Sequence, residues 1–88
     1  MEPYRVEIAS AAQRGLARIS PRFAPAVIEF ITVVLPQNPH RIGKSLRAPY
    51  EGLHSARRGD YRVLYRIGDD RSILIVRIEH RSTVYRPR

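Results

Sequence analysis

Cysteine is absent from the sequence, which excludes disulfide bridges and zinc sites built from thiolates. Long hydrophobic runs are also absent, because the longest, AVIEFITVVL, is interrupted by Glu29 and is shorter than the roughly 18 residues that cross a bilayer. The N-terminus has neither the basic start nor the apolar run of a signal peptide. We therefore expect a cytoplasmic protein, folded as one small domain over residues 1–88 around a modest hydrophobic core.

Acidic residues are few, with 8 against 16 basic ones, and the net charge is +8. Lysine is almost missing as well, since every basic residue except Lys44 is an arginine. Arginine stays charged at any physiological pH, and its planar guanidinium matches the geometry of a phosphate group. A surface this positive predicts a polyanionic partner, which is RNA, DNA or an acidic protein.

The basic residues are concentrated in the later part of the chain. The first forty residues contain four basic and three acidic side chains, whereas twelve basic and five acidic ones follow from Arg41 onward. A bias of the genome toward arginine codons would spread arginine evenly along the chain. The asymmetry therefore favours a phosphate-binding surface built by the later elements.

A short strand and a first helix are predicted at the start of the chain. Residues 3–8 alternate between apolar and polar side chains, as a strand does. Ser10 and Gln13 form a capping-box pattern, with Ser10 as the N-cap of the helix that follows. The apolar residues that then share one helical face are Ile8, Ala12, Leu16 and Ile19.

A second helix is predicted to start at Ser20-Pro21, or only after Pro25, and to end at Pro36. Its apolar residues recur at helical spacing and are Val27, Phe30, Ile31 and Val34. The segment PQNPHRIGKS that follows is rich in helix-breaking residues and predicts a loop.

From Leu53 onward the hydrophobic period changes to two. The segments LHSAR, DYRVLYRI and SILIVRI predict three strands, joined by turns at residues 58–60 and 68–71. The element order is therefore β-α-α-β-β-β. It predicts an α+β fold in which two N-terminal helices pack on one face of a small, mainly antiparallel sheet.

The middle strand of this sheet has two different faces. Its apolar face is expected to meet the helices and consists of Tyr61, Val63, Tyr65 and Ile67. Arg62, Leu64 and Arg66 share the opposite face, for which so short a chain offers no third layer. We therefore expect this second face to be an exposed cationic surface.

Cleavage of RNA would require a base for the 2′-hydroxyl, cations for the charge on phosphorus and an acid for the leaving oxygen. Arg62 and Arg81 suit the charge-stabilising role, and the titratable candidates are His54, His80 and Tyr85. Each candidate has a structural alternative, because a histidine can lie at a strand end and a tyrosine can stack on a sheet edge. The sequence has no metal-ligand spacing, P-loop or dinucleotide-binding motif, so we expect no metal and no cofactor.

The string GDYRVLYRI, followed by an apolar strand and then HRSTVY, resembles the RelE-type toxins of bacterial type II toxin–antitoxin modules. The segments YRVEI, AVIEFI and KSLR extend this resemblance over nearly the whole chain, and within the superfamily it is to the mycobacterial RelE branch. The resemblance implies a toxin that enters the ribosomal A site and cleaves mRNA by attack of the 2′-hydroxyl on the adjacent phosphate. It also implies an acidic, RelB-like antitoxin that wraps the toxin and blocks the site.

The resemblance implies roles for individual residues. Arg62 matches an arginine that stabilises the transition state, Arg81 the arginine after the last strand, and Tyr85 a tyrosine that acts on the nucleophile or stacks on a base. His80 in the His-Arg pair completes the candidate catalytic set. The candidate RNA-binding residues are Lys44, Arg47, His54, Arg57 and Arg58.

The sequence departs from the family pattern in the first strand of the meander. Two lysines of well-known members fall near Leu53 and Ser55, and one of them acts there as a general base or charge partner. His54 or His80 is the candidate substitute, which leaves the division of acid and base roles open.

Two other functions are compatible with this fold. A ParE-like toxin would inhibit DNA gyrase without cleaving RNA, and it would not need a tyrosine and a histidine after the final strand. A nucleic-acid-binding module would bind in a salt-dependent way and break no strand. Whether the toxin cleaves mRNA or inhibits gyrase, an acidic antitoxin segment is expected to lie over its helices and sheet edge.

Overall fold

The computed structural model describes residues 2–84, with side chains as far as Ser82. The described residues form five strands: β1 Arg5–Ile8, β2 Lys44–Ser45, β3 His54–Arg58, β4 Tyr61–Gly68 and β5 Ser72–His80. The α-helices are α1 Ser10–Arg18, α2 Ala24–Glu29, α3 Pro39–Ile42 and α4 Arg81–Val84. Within the described residues, no helix combines the length and the apolar character needed to cross a membrane.

The strands form one five-stranded sheet in the order β1-β5-β4-β3-β2. β1 runs parallel to β5, and the other neighbouring pairs are antiparallel. α1 and α2 pack on one face of this sheet and enclose the core with it. The predicted α+β fold, with its helices on one face of a mainly antiparallel sheet, is therefore confirmed.

The segment between α2 and β3 is more regular than predicted. It contains the short helix α3 and the edge strand β2, so the prediction of a loop there is wrong. Pro39 is the first residue of α3, where a missing N–H costs no helical hydrogen bond. β2 forms because Lys44 and Ser45 pair with β3, an interaction that local sequence cannot reveal.

Helix α1 places the predicted apolar face against the sheet. Ala12 and Ile19 are buried, and Leu16 packs against the same core. The predicted cap is wrong in its details: Ala9 is the N-cap, Ser10 is the first helical residue and no side chain caps the helix. Gln13 does reach back, but its Nε2 donates to the carbonyl oxygen of Ile8 at 3.0 Å.

Gly15 allows α1 to approach β5 closely. A Cβ at this position would lie 2.8 Å from the carbonyl oxygen of Ile78, which is shorter than real Cβ contacts. The glycine therefore costs helix propensity but permits tight packing of the helix on the strand.

Helix α2 begins at Ala24, between the two predicted starts. Residues 21–23 form a turn in which the N–H groups of Phe23 and Ala24 donate to the carbonyl oxygen of Ser20. Pro25 lies within the first turn of the helix, where proline is tolerated.

A π-helical turn, Phe30–Val34, follows α2 and shifts the buried face of the helix. Here the N–H of Leu35 donates to the carbonyl oxygen of Phe30, five residues earlier. The extra residue per turn turns Val34 to solvent and buries Leu35 instead, so the predicted burial of Val34 is wrong. The chain then continues as the 3₁₀ helix Leu35–Gln37, past the predicted end at Pro36.

A β-bulge in β5 sets the face on which Arg77 lies. Leu64 pairs with Arg77, whereas Tyr65 pairs with Ile75, so Val76 is the extra residue. Strict alternation from Ile73 would have directed Arg77 into the core. The bulge reverses the phase, so that Ile78 is buried and Arg77 is exposed.

The predicted faces of β4 are confirmed. Val63 and Tyr65 are fully buried, and Tyr61 and Ile67 pack against the core at its margin. The Tyr65 hydroxyl donates to the carbonyl oxygen of Pro39 at 2.6 Å. Burial raises the pKa of Tyr65 to about 12, although a hydrogen bond with the Gly43 backbone opposes this shift.

Replacing Gly43 with alanine should destabilise the fold, because a Cβ there would overlap the Tyr65 hydroxyl. Overpacking of this kind typically costs about 1–3 kcal/mol of unfolding free energy. Urea denaturation measures the effect. The double variant Gly43→Ala/Tyr65→Phe removes the hydroxyl and should recover part of the loss. Equal stability of wild type and Gly43→Ala would contradict the packing described here.

Candidate functional site

The sheet face that points away from the helices collects basic side chains, and we call it the basic face. In one row across the sheet, Lys44 pairs with Ser55, Ser55 with Leu64 and Leu64 with Arg77. The basic side chains that strands β2 to β5 contribute to this face are Lys44, Arg57, Arg62, Arg66 and Arg77. Arg66 and Arg77 are exposed, and Arg62 is partly exposed, so the predicted exposed cationic surface is confirmed.

Arg62 lies near the centre of the basic face and is held there by an acid. Its Nη2 lies 3.2 Å from Oε1 of Glu79, the residue opposite it on β5. Arg77 approaches the other oxygen of the same carboxylate at 3.6 Å. Because the Glu79 side chain is only 19% exposed, this contact is less screened than a surface ion pair. Arg62 therefore has a defined position rather than a freely rotating side chain.

Two features of the surroundings of Arg62 would favour the binding of an anion. Its Nε–H is buried and has no hydrogen-bond acceptor within residues 2–84. Arg57 lies directly opposite Arg62 on β3, and like charges in this arrangement repel. An anion bound between the two guanidinium groups would offset that repulsion.

Arg81 lies beside the turn that joins β3 to β4. Its backbone N–H donates to the carbonyl oxygen of Asp60 at 2.8 Å, and its guanidinium lies 3.7 Å from the Asp60 carboxylate. Both side chains are more than half exposed, so the ion pair adds little stability. The backbone contact fixes where α4 starts. Arg58, also exposed, pairs with Tyr61 at the same end of the sheet and so lies on the helix side, not on the basic face.

Arg47 lies in the connection between β2 and β3. This connection is closed by a hydrogen bond from the Leu46 N–H to the Leu53 carbonyl, and the Arg47 carbonyl accepts from the Tyr50 N–H. The Arg47 side chain is exposed. With Lys44 on the edge strand β2, it extends the positive surface beyond the basic face.

His54 lies on the helix side of β3. It pairs with the buried Tyr65, on whose ring it stacks with centroids 5.4 Å apart, and it meets the edge of His40 at 6.1 Å. Burial, and secondarily the charge of His40, lowers the pKa of His54. Its Nδ1 is buried without a hydrogen-bond partner in the described part of the chain. This placement separates His54 from the basic face.

His80 also lies on the helix side, at the end of β5. It pairs with Tyr61, whose ring it meets edge-on at 5.0 Å, whereas the neighbouring Glu79 pairs with Arg62. It lines a hollow of about 520 Å³ together with Arg14 and Arg18 of α1 and with Arg77 and Glu79 of β5. His80 and Arg62 therefore point to opposite sides of the sheet. Tyr85, the remaining predicted site residue, lies outside the described residues.

The structure thus brings together Lys44, Arg57 and Arg62 on the basic face, and it adds Glu79 and Arg77, which the sequence reasoning did not assign to the site. Glu79 was overlooked because its partner depends on the register of β4 against β5. The signal that could have found it is the RIEH end of the strand, where one acid lies among several cations.

A family model described as the ParE toxin of the type II toxin–antitoxin system, parDE, matches residues 6–85 of the chain. The chain belongs to the ParE/RelE toxin family. Toxin RelE of Mycobacterium tuberculosis is 51% identical over 85 residues, which cover 96% of this chain and 88% of that protein. Toxin RelG of the same organism is 45% identical over 85 residues, covering 96% of this chain and 98% of RelG.

Solved structures agree with this assignment. A chain of the RelBE2 toxin–antitoxin complex from M. tuberculosis matches with a TM-score of 0.87 and 44% identity, over 93% of this chain and 95% of that one. The isolated RelE toxin of E. coli shares the fold at a TM-score of 0.69 with 12% identity, over 88% of this chain and 83% of that one. The resemblance to RelE-type toxins, and to their mycobacterial branch, is confirmed. The protein is a RelE-like toxin of a type II toxin–antitoxin system.

The lowered pKa of His54 predicts that the fold loses stability in mild acid. The unfolded histidine titrates near pH 6.5 and binds a proton more readily than the folded one, so the free energy of unfolding should fall as the pH drops below about 6.5. Denaturation between about pH 7.5 and pH 5.5 measures the slope. His54→Phe retains a stacked ring without the titration and should show a shallower slope. The same slope in both proteins would be the contrary result.

Proposed function

We propose that this toxin is a ribosome-dependent endoribonuclease that cleaves mRNA in the A site. In the reaction, the 2′-oxygen forms a bond to the neighbouring phosphorus and the bond to the 5′-oxygen breaks. The products are a cyclic phosphate and a 5′-hydroxyl. The proposal is carried by one observation, the position of Arg62 between Arg57 and the Glu79 carboxylate on an exposed cationic sheet face.

Charge accumulates on the phosphate oxygens as the 2′-oxygen attacks, and a cation already in position stabilises that charge without reorganising. Arg62 meets this requirement because its partner Glu79 orients it, while its hydrogen-bonding capacity is not fully used inside the described protein. Arg57 supplies a second positive charge from the adjacent strand. The scissile phosphate is therefore proposed to bind against these two arginines.

The other basic residues are proposed to hold the RNA backbone rather than to react with it. Lys44 on the basic face, Arg47 after β2 and Arg58 on the helix side of β3 are all exposed, and each phosphate they neutralise would make binding more dependent on salt. Arg81 is proposed to help stabilise the charge on the phosphate. Tyr85 is proposed to act on the nucleophile or to stack on a base, as the family resemblance implies. His54 is left out of this set because it is stacked in the helix-side core.

The Arg62→Ala variant should lose at least about a hundredfold in cleavage rate, the usual effect of removing one donor to a developing oxyanion. Single-turnover cleavage of mRNA bound to ribosomes measures the rate, and growth arrest on expression should disappear in parallel. Arg22→Ala is the matched control, since it removes the same charge from the exposed side chain that lies over Phe23. Equal activity of Arg62→Ala and wild type would contradict the assignment.

Mapping of RNA ends in expressing cells tests the reaction class itself. The proposal predicts breaks phased with codons that depend on translation. Intact transcripts with a DNA-damage response would instead identify a gyrase inhibitor, and binding of nucleic acid with no breaks would identify a non-catalytic module.

The antitoxin is proposed to be acidic and to cover the helices and sheet edge of the toxin. The chain carries a net charge of +8, and RelBE2 of M. tuberculosis is a toxin–antitoxin complex with a similar chain. Exposed apolar residues lie along the second helical segment and its flanks: Phe23, Ile28, Val33, Val34 and Ile42. A segment with both acidic and apolar side chains would match this surface.

Ile28→Glu should weaken binding of the co-expressed antitoxin by at least about tenfold, because it adds a repelling charge and removes apolar contact. Cleavage by the free toxin should not change. Gln37→Glu places the same charge at an exposed polar position and serves as the control. Titration calorimetry compares the affinities, and undiminished binding of Ile28→Glu would exclude this helix from the interface.

A further inference from the structure

His80 makes two contacts with the residue that follows Arg81. The backbone N–H of Ser82 donates to Nδ1 of His80 at 3.1 Å, and the Ser82 hydroxyl oxygen lies 2.8 Å from the same nitrogen. An N–H group can only donate, so Nδ1 is the acceptor and the neutral ring carries its proton on Nε2. Nδ1 of the imidazole is therefore occupied by a hydrogen bond from the backbone of α4.

These contacts satisfy backbone groups at the start of α4. The first N–H groups of a helix have no intrahelical acceptor and need an outside partner. The Ser82 N–H has His80 Nδ1 as its acceptor, and the Arg81 N–H has the Asp60 carbonyl oxygen at 2.8 Å. Together the two acceptors determine how the chain leaves β5.

We infer that His80 is a positioning residue, which caps α4 through Nδ1 and so positions Arg81, the first residue of that helix. This inference rests on the proposed function only in so far as Arg81 serves cleavage. The capping role needs no proton transfer, because Nδ1 already accepts from the backbone and it is Glu79, not His80, that lies opposite Arg62. Its ring packs edge-on against Tyr61, which holds Nδ1 toward Ser82.

Two substitutions at His80 distinguish a capping role from a packing role and from proton transfer. His80→Asn retains an acceptor at the position of Nδ1 and loses the ring, since asparagine accepts from nearby backbone N–H groups. His80→Phe retains a ring against Tyr61 and loses the acceptor. A capping role requires the acceptor, a packing role requires the ring, and proton transfer requires the imidazole itself.

The expected result is a cleavage rate for His80→Asn within about twofold of wild type, and a loss of about fivefold to tenfold for His80→Phe, which is the size of one lost helix cap. A general acid or base typically contributes about a hundredfold or more, so proton transfer predicts a much larger loss in both variants. Losses of that size in both would overturn the inference. So would a normal rate for His80→Phe, whatever the rate of His80→Asn.

Amide hydrogen exchange at Ser82 tests the cap without reference to catalysis. Exchange should accelerate at least about fivefold in His80→Phe and remain near the wild-type rate in His80→Asn, because only the first variant lacks the acceptor. Equal exchange in all three proteins would overturn the inference. Should wild type fail to cleave RNA, the proposed function fails, whereas the exchange result still decides the role of His80.

Discussion

The pairing of β4 with β5 is the constraint on which the rest of the structure depends. This pairing buries Val63 and Tyr65 beneath the helices and, in the same register, places Arg62 opposite Glu79 on the other face. A slip of one residue would direct the arginine into the core and the tyrosine to solvent. The hydrophobic effect that holds the sheet under its helices therefore also fixes the cation at the centre of the basic face.

The two faces of the sheet differ in the side chains that they carry. The helix side contains the core, the buried Tyr65 hydroxyl bonded to Pro39, and both histidines of the last strands. The other side carries arginines whose charge is only partly balanced by Glu79. Because the protein belongs to the ParE/RelE toxin family, we relate this charged side to its function as a toxin. The chemistry proposed for it depends on positioned cations and not on a histidine of the described strands.

Much of the fold follows from sequence periodicity. The alternation of DYRVLYRI identifies both faces of β4, and the helical spacing of Val27, Phe30 and Ile31 identifies the face that is buried. Short-range pattern fails where tertiary contacts set the geometry. The π-turn replaces Val34 with Leu35 in the core, and the bulge at Val76 turns Arg77 outward. Neither irregularity has a local signal such as a glycine or a proline at the position concerned.

The candidate site, like the fold, could be predicted from the sequence only in part. Arg62 and Arg57 could be assigned to an exposed face from alternation alone, whereas Glu79 and the helix-side placement of His80 follow only from strand register. A histidine next to an arginine near the chain end looks catalytic in sequence. In three dimensions, His80 directly follows Glu79, the partner of Arg62, and this step of one residue along β5 points the imidazole to the helix side of the sheet.

A double-mutant cycle between Arg62 and Glu79 tests the central claim most directly, with single-turnover cleavage as the readout. If the carboxylate acts by holding the guanidinium in place, Glu79→Gln should slow the wild-type toxin by about tenfold and have no further effect in the Arg62→Ala background. Equal and additive losses in the two backgrounds would contradict the account, because the two side chains would then act independently.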